Sequence, residues 1–249
     1  MANAPIQREQ ELVGQTVVLI GGSAGIGLET ARRARGEGAE VVLTGRNPER
    51  LEAAAAEVGA TSTAAFDAND SDALKRFFDG PPDRIDHVLV TASGPTYASL
   101  FEMDAAQVKE ALGNHVALDL DVARNATSKM RPGGTLLFMS GTGGRRIRRE
   151  LGIVPAATAA ISPFAATLAL ELAPVRVNVI AAGFVDTPLS ASLLGEGLEA
   201  RRDELRRTLP IGRVIGPADV AALAVHLMIN TAVTGATYDI DGGQQYVSP

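Results

Sequence analysis

The sequence predicts an α/β fold, a single doubly wound Rossmann-type domain built on a parallel sheet of about seven strands. Three observations lead to this prediction. Short runs rich in β-branched residues alternate with runs of helical length along almost the whole chain, as is typical of right-handed βαβ units. The first of these runs enters a glycine-rich turn that opens a helix. A length of 249 residues is common for α/β proteins that form one unit.

The elements follow one another in a regular order. Strands are predicted at 16–20, 40–44, 61–66, 87–90, 135–139, 175–180 and 236–240. Helices are predicted at 25–35, 48–58, 71–79, 104–127, 155–172 and 217–229. Helix-start signals support several of them, since Asn47 precedes a proline at a first helical position and Asp104 with Gln107 resembles a capping box. Pro163 is expected to kink or break the fifth helix because it lacks a backbone donor.

Neither an internal repeat nor a linker divides the chain. Residues 1–14 are predicted to form a flexible arm, and residues 15–249 the single domain. The segment near 188–212 is rich in Leu, Glu and Arg. It fits a lid over a site and, equally, a pair of short surface helices.

Composition argues against several classes of function. The formal net charge of −6 gives no support for nucleic-acid binding. The absence of cysteine excludes disulfides, thiolate metal sites and a cysteine nucleophile, and no other metal-ligand constellation stands out. No apolar run approaches the roughly 20 residues that span a bilayer, and the first residues lack the apolar region of a signal peptide. We therefore expect a cytoplasmic protein with neither nucleic-acid nor membrane partners.

Small and polar residues follow the predicted strands, at the edge where open parallel sheets bind ligands. The glycines of the turn at 20–27 would let a phosphate approach the backbone, and the following helix offers it free N–H groups. A tight turn without a ligand would use the same glycines. The residues that we expect to bind a dinucleotide are Gly21, Ser23, Gly25, Ile26, Gly27, Arg46, Asp67, Ala68, Ala92, Ser93, Gly94, Gly183, Val185 and Thr187.

Arg46 predicts which dinucleotide is bound. An acidic residue about 20 residues beyond the glycines would accept hydrogen bonds from a ribose 2′-hydroxyl. Arginine stands there instead, and a guanidinium binds phosphate oxygens bidentately, so we predict NADP(H) over NAD(H). A solvated arginine on a turn is the alternative. We also expect Asp67 to accept from the adenine amino group, or else to initiate a helix, and Ala68 to pack on the ring.

Together these motifs resemble the short-chain dehydrogenase/reductase family over nearly the whole chain. The glycine turn matches that family's first motif, except that Ile20 replaces a threonine. Residues 91–94 stand where the family has Asn-Asn-Ala-Gly, and Asn114 matches its structural and proton-relay asparagine. Residues 181–187 match the segment that holds the nicotinamide, and Asp241-Gly242-Gly243 match the closing motif. The resemblance implies a small-molecule substrate, and a homodimer or homotetramer in which the 104–127 and 155–172 helices pair across subunits.

The catalytic pair of that family, Tyr-x-x-x-Lys, is absent. None of the 3 tyrosines, Tyr97, Tyr238 and Tyr246, has a lysine four residues on. Alignment of residues 159–164 with the family's helix places Val154 at the tyrosine and Thr158 at the lysine, and Gly141 at the serine that orients the substrate. Valine cannot donate a proton, and threonine carries no charge that would lower a neighbour's pKa.

The segment 140–150 is the region that we expect to replace the missing acid. Its arginines would hold a carboxylate, phosphate or enolate, although a solvated basic loop is the alternative. The candidate catalytic residues are Asn114, Ser140 and Arg145, with turn capping as the alternative role of Ser140. His115 is expected to be packed or to lie at a subunit contact, because it follows Asn114 on a helix and points elsewhere.

The resulting hypothesis is an atypical NADP(H)-dependent oxidoreductase. It would transfer hydride to an acceptor that needs no tyrosine acid, such as an activated C=C or iminium bond. Two alternatives remain open on the sequence. One is a non-catalytic NADP(H)-binding sensor or scaffold protein, and the other is a non-redox cyclase or lyase on the same fold.

Overall fold

A computed structural model describes residues 9–92, 94–145, 147 and 149–247. Seven strands form one parallel sheet in the order β3-β2-β1-β4-β5-β6-β7. The strands are β1 Thr16–Ile20, β2 Glu40–Gly45, β3 Ser62–Ala65, β4 Ile85–Val90, β5 Met130–Gly141, β6 Arg176–Ala182 and β7 Thr237–Ile240. This topology confirms the predicted doubly wound fold.

The helices lie where the sequence signals place them. They are α1 Gly25–Gly36, α2 Pro48–Val58, α3 Ser71–Asp79, α4 Ala105–Ala126, α5 Val154–Glu171, α6 Pro188–Leu194, α7 Leu198–Thr208 and α8 Pro217–Ile229. The predicted caps form, since Asn47 Oδ1 accepts from Arg50 N at 2.8 Å and the Asp104–Gln107 capping box is complete. Strand β5 is longer than predicted because Met130 pairs with Ile85 beyond a register irregularity.

The sheet separates two apolar cores. Along β1, Val18 and Ile20 face the core beneath α3, α4 and α5, whereas Val17 and Leu19 face the core beneath α1, α2 and α8. Alternate side chains of one strand point to opposite faces, so a fully apolar strand fills both cores at once. The carboxyl ends of the strands are thereby held in one rigid row.

The start of the chain departs from the predicted flexible arm. Leu12 is fully buried among apolar residues of α1 and β2, and its N–H donates to Glu37 O at 2.9 Å. Gln10 Nε2 donates to Gly36 O at 3.0 Å. The prediction is therefore wrong for residues 10–14, because one leucine in a polar stretch is enough to anchor it. Residues 1–8 lie outside the described residues.

Helix α5 runs through Pro163 without a break, so the expected local break is wrong, and the alternative of a kink stays a prediction. Pro163 and Ala159 both lie on the exposed side, where the Ala159 carbonyl that loses its donor is able to reach water. Within the described ranges, α5 is also the one helix that is long and apolar enough to cross a membrane. It instead joins β5 to β6 and buries residues such as Ile161 and Leu168 in the core.

A cavity of about 540 Å³ lies at the opposite, amino-terminal edge of the sheet, lined by Gln15, His87 and Arg131 among others. His87 Nε2 lies 2.7 Å from Gln15 Oε1. Burial, with a smaller contribution from the charge of Arg176, lowers the pKa of His87 to about 3. His87 is thus a neutral, buried histidine with a structural role.

Candidate active site

The inner side of the glycine turn between β1 and α1 is tightly packed against the turn's own backbone and the end of β4. A Cβ on Gly27 would overlap the carbonyl oxygen of Gly21, and one on Gly21 would lie 2.6 Å from Thr91 Oγ1. The Thr91 hydroxyl donates to Gly21 O at 2.9 Å and so ties the turn to the end of β4. These two glycines are required by the packing of the turn itself, whether or not a ligand is bound.

The outer side of the turn lies beside the chain that follows β6. Gly25 has φ +55°, and a Cβ there would make ordinary contact, at 3.5 Å, with the side chain of Thr187. Ala24 occupies the N-cap of α1 and provides no side-chain cap, and the first turn of α1 contains no acidic residue. The three helices that follow are capped by Asn47, Asp70 and Asp104. The N–H groups of α1 therefore remain available to an anion such as a pyrophosphate, which fits the residues present.

Ser23, Gly45 and Arg46 lie together beyond β1 and β2. A Cβ on Gly45 would lie 2.9 Å from Ser23 Oγ, so the serine hydroxyl sits directly against the end of β2. Arg46 is exposed, and within the described ranges it has neither a hydrogen-bond partner nor an ion pair. Its guanidinium is free to bind a phosphate, and its predicted role stays a prediction.

Asp67 and Ala68 follow β3 with contacts that the sequence did not predict. Asp67 Oδ1 accepts from Asn69 N at 3.0 Å, and the aspartate that caps α3 is Asp70, so the helix-initiating alternative for Asp67 is wrong. Asp67 remains exposed and open to a ligand. Ala68 is 6% exposed, and its methyl group packs in the core.

The chain after β6 is braced by the closing motif. A Cβ on Gly183 would lie 2.5 Å from Gln244 Oε1, which also accepts from Phe184 N at 2.8 Å. Val185 is buried and pairs with Ile215, which orders the backbone before Thr187. The predicted nicotinamide segment is therefore a rigid wall of the cleft.

The other predicted cofactor residues complete the row of strand ends. Ile26 packs against the core beneath α1, and Ala92 packs against the core on the opposite face. Gly94 is exposed, and a Cβ there would lie 3.7 Å from Leu189 Cδ2 of α6. Ser93 lies outside the described residues.

The segment predicted near 188–212 consists of two short helices, α6 and α7, and it also lies against the site. The Arg202 guanidinium donates to both carboxylate oxygens of Asp186, at 2.8 and 2.6 Å. The guanidinium of Arg201 lies 5.9 Å from the centre of the Phe184 ring. The surface-helix alternative therefore matches the structure, and these helices lie against residues 184–186. The role of the segment as a lid stays a prediction.

The positions aligned with the missing catalytic residues do lie together. Val154 and Thr158 are each 7% exposed, and the Thr158 hydroxyl donates to Val154 O at 2.9 Å. Ser140 Oγ donates to Thr158 O at 3.1 Å, and a Cβ on Gly141 would lie 3.4 Å from Thr158 Cγ2. Both described hydroxyl protons at this position are used by backbone carbonyls.

The other predicted catalytic residues point away from Val154 and Thr158. Arg145 forms an ion pair with Asp239 near the end of β7. Asn114 is exposed on α4, and its Nδ2 lies 3.4 Å from Glu110 Oε1. The catalytic roles of Asn114, Ser140 and Arg145 remain predictions, although none of them brings an uncommitted donor to this position.

His115 is the titratable residue that the sequence interpretation missed. It lines a cavity of about 20 Å³ together with Gly94, Thr96, Val154 and Thr158. Burial lowers its pKa. The expectation that His115 points away from the site depends on its neighbour Asn114 facing the site. The phase of α4 is instead set by packing against α5, and the recurrence of Ala111, His115 and Asp119 every four residues was the available signal.

Within the described part of the chain, no group of three or more His, Asp or Glu side chains is arranged to hold a metal ion.

Comparison with known proteins places this site in a family. A family model described as Enoyl-(Acyl carrier protein) reductase matches residues 21–245. Short-chain dehydrogenase/reductase ATR9 of Stachybotrys chlorohalonatus is 29% identical, over 92% of this chain and 96% of that one. The NADP-dependent (R)-specific alcohol dehydrogenase of Lentilactobacillus kefiri is also 29% identical, over 93% and 97%. The crystal structure of BdcA in complex with NADPH superposes with a TM-score of 0.81 at 27% identity, over 93% and 95%. The chain therefore belongs to the short-chain dehydrogenase/reductase family, and the two relatives named here, a dehydrogenase/reductase and an alcohol dehydrogenase, are oxidoreductases.

Proposed function

We propose that this protein is an NADP(H)-dependent oxidoreductase that works without a tyrosine–lysine pair. The observation that carries the proposal is the uncapped amino end of α1, whose Gly25 lies beside Thr187 in the chain after β6. A helix end that leaves its first N–H groups unpaired is suited to a pyrophosphate. The NADP-dependent relative and the NADPH-bound neighbour support the choice of cofactor.

Each part of the cleft has a distinct task in this proposal. The first turn of α1 binds the pyrophosphate, and Ser23 with Arg46 binds the adenosine phosphate that distinguishes NADP(H). The segment 183–187, braced by Gln244, holds the nicotinamide end. NADPH supplies a hydride when it is bound. Helices α6 and α7 cover that end and limit the access of water.

The acceptor follows from the donors that this site lacks. Ser140 and Thr158 direct their hydroxyl protons to backbone carbonyls, so neither is free to protonate a carbonyl oxygen. A substrate that is already activated, an iminium ion or a polarised C=C bond, places less demand on an acid. We therefore propose a small molecule of that kind rather than a simple ketone.

Titration with NADPH and NADH, followed by nicotinamide fluorescence and thermal shift, tests the proposal. Tight binding of NADPH and weak binding of NADH are expected, followed by NADPH oxidation with members of an iminium and enone panel. Failure to bind either nucleotide would refute the proposal. Tight NADPH binding without turnover on any panel would favour the sensor or scaffold alternative, and conversion of a substrate without nicotinamide oxidation would favour the cyclase or lyase alternative.

We also propose that α4 and α5 pair across subunits. On α5, Ala156, Ala159 and Ala160 are exposed, and Leu170 exposes 83% of its surface. A face of small side chains beside an exposed leucine allows two helices to approach closely. Light scattering is expected to give a dimer or tetramer, and Leu170→Glu is expected to shift it toward the monomer; a monomeric unaltered protein would refute this assembly.

A further inference from the structure

One face of α4 carries two titratable side chains, His115 and Asp119, and His115 lines the cavity at the position of the missing tyrosine. We propose that His115 donates the proton that completes reduction of a polarised C=C bond, and that Asp119 resupplies His115. This inference rests on the proposed hydride transfer and narrows its substrate. Of the two acceptors considered above, the polarised C=C bond needs a proton and the iminium ion does not.

The geometry begins with the cavity that His115 lines. Val154 and Thr158, the aligned catalytic positions, form its other side, and Gly94 from the end of β4 lies at its margin. A volume of about 20 Å³ admits one water molecule. The Thr158 oxygen donates its own proton to Val154 O but keeps lone pairs that accept one. A proton from the imidazole therefore has a short route to the place where the family's tyrosine hydroxyl would stand.

Asp119 lies one helical turn beyond His115 on the same face of α4. Side chains at this spacing have Cβ atoms about 5–6 Å apart. Asp119 is 2% exposed, and its Oδ2 has no hydrogen-bond partner within the part of the chain that the structure describes. Burial raises its pKa well above the usual value, which favours the protonated carboxyl. A buried acid without a partner weakens the fold, which favours a functional reason for its presence.

The other candidates at this edge are engaged elsewhere. Ser140 and Thr158 bond to backbone carbonyls, and Arg145 pairs with Asp239. Tyr97 is half exposed; partial burial raises its pKa, and the charge of Arg201 on the covering helix α7 opposes that shift. Within the described ranges His115 is therefore the titratable side chain that lines the Val154–Thr158 cavity.

The proton balance of the step is complete. Bound NADPH would supply the hydride for one carbon of the polarised double bond and become NADP⁺, and the displaced π electron pair would take a proton from one imidazole nitrogen of His115, directly or through a water. The other imidazole nitrogen takes the carboxyl proton of Asp119. Asp119 is left as a buried carboxylate, which regains a proton from solvent before the next turnover.

Four substitutions test the pathway, and each test variant has a matched control. Asp119→Asn keeps the shape of the side chain and removes the acid, and Asp121→Asn makes the same change two residues further along α4, where the carboxylate bonds to Ser71. His115→Gln is matched by His226→Gln on the exposed side of α8. Thermal shift and NADPH fluorescence establish that each variant is folded and binds the cofactor.

Single-turnover rates on paired acceptors give the kinetic result. The rate on a cyclic enone is expected to fall about 100-fold in Asp119→Asn and His115→Gln, the scale of a lost general acid, whereas the rate on a cyclic iminium ion stays within about twofold. Equal losses on both acceptors, or no loss on the enone, would overturn the inference.

Imidazole ¹⁵N NMR gives a result that needs no substrate. The chain has 3 histidines, so the His115 signals are assigned by their loss in His115→Gln. Asp119→Asn is expected to shift these signals and Asp121→Asn to leave them in place. Unshifted His115 signals in Asp119→Asn would overturn the pathway. If the unaltered protein does not bind NADPH, the proposed function is refuted. The NMR comparison would still measure the coupling of His115 to Asp119.

Discussion

The phosphate end and the catalytic end of this cleft lie on the same edge of one sheet, but they differ in how many polar groups are left for a ligand. At the phosphate end the first N–H groups of α1 are uncapped, and Arg46 is unpaired within the described ranges. At the catalytic end Ser140, Thr158 and Arg145 are bonded to the protein itself. Unsatisfied donors indicate where a ligand binds, and satisfied ones indicate structural roles, even when both follow a strand of a nucleotide-binding fold.

The largest effect is expected from Gly27→Ala. The added methyl would overlap Gly21 O, so we expect a loss of about 3 kcal/mol in the free energy of unfolding and about 100-fold weaker NADPH binding. Gly36→Ala in the same helix, with nothing within 4 Å, is the control and should change neither quantity downward. Urea unfolding and fluorescence titration measure both. Equal behaviour of the two variants would mean that the turn tolerates a side chain.

Restoring the family's pair is expected to be harmful. Val154→Tyr with Thr158→Lys adds a ring and a long chain beside a cavity of about 20 Å³, so overpacking should lower the free energy of unfolding by about 1–3 kcal/mol. Ketone reduction should not appear, because the site is not shaped around these side chains. Urea unfolding and a ketone panel test this. A stable double variant that reduces ketones would show that the catalytic end has kept its older geometry.

Arg46→Ala tests the phosphate end with a smaller effect. Losing a charge-assisted contact to the 2′-phosphate is expected to weaken NADPH binding about tenfold and to leave NADH binding unchanged. Arg50→Ala, four residues later and also exposed, is the control. Fluorescence titration of both nucleotides gives the ratio. Parallel weakening of NADPH and NADH would assign Arg46 to general attraction rather than to the 2′-phosphate.

Asp119 gives the catalytic end a signature in the pH dependence of stability. Its pKa is raised in the folded state by burial, so the folded protein retains a proton that the unfolded chain releases above its ordinary value of 3.8. Stability is therefore lost as the pH rises from that value toward the folded pKa, by about 1.4 kcal/mol per pH unit from this group. Asp119→Asn should remove this slope and Asp121→Asn should retain it, in urea unfolding at mildly acidic and neutral pH. Identical slopes in wild type and Asp119→Asn would argue against a buried neutral acid.

Most of the fold was predictable because its signals are local. The caps at Asn47 and Asp104 and the alternation of strands and helices are read over a few residues at a time. The buried position of Leu12 was not predictable, since it depends on α1 and β2 packing over the chain start. The ion pair of Arg145 was not predictable for the same reason, because its partner, Asp239, lies 94 residues away.

The phase of α4 shows a second limit of the sequence. The family motif predicts a role for one residue of the helix, Asn114. The neighbouring helix, however, decides which residues of α4 face a cavity. His115 and Asp119 face the core side because α4 packs against α5. Only their spacing of four residues was visible beforehand, and that spacing is common in any buried helix face.

The strand order β3-β2-β1-β4-β5-β6-β7 divides the cleft at the seam between β1 and β4, which the Thr91 hydroxyl spans to reach Gly21. Thr91 and Thr187 lie on the far side of that seam and yet contact the α1 turn, at Gly21 and Gly25. For an engineer this means that Val154, Thr158 and their neighbours on α5 are the positions to randomise, whereas Thr91 and Thr187 are kept together with the β1–β2 half.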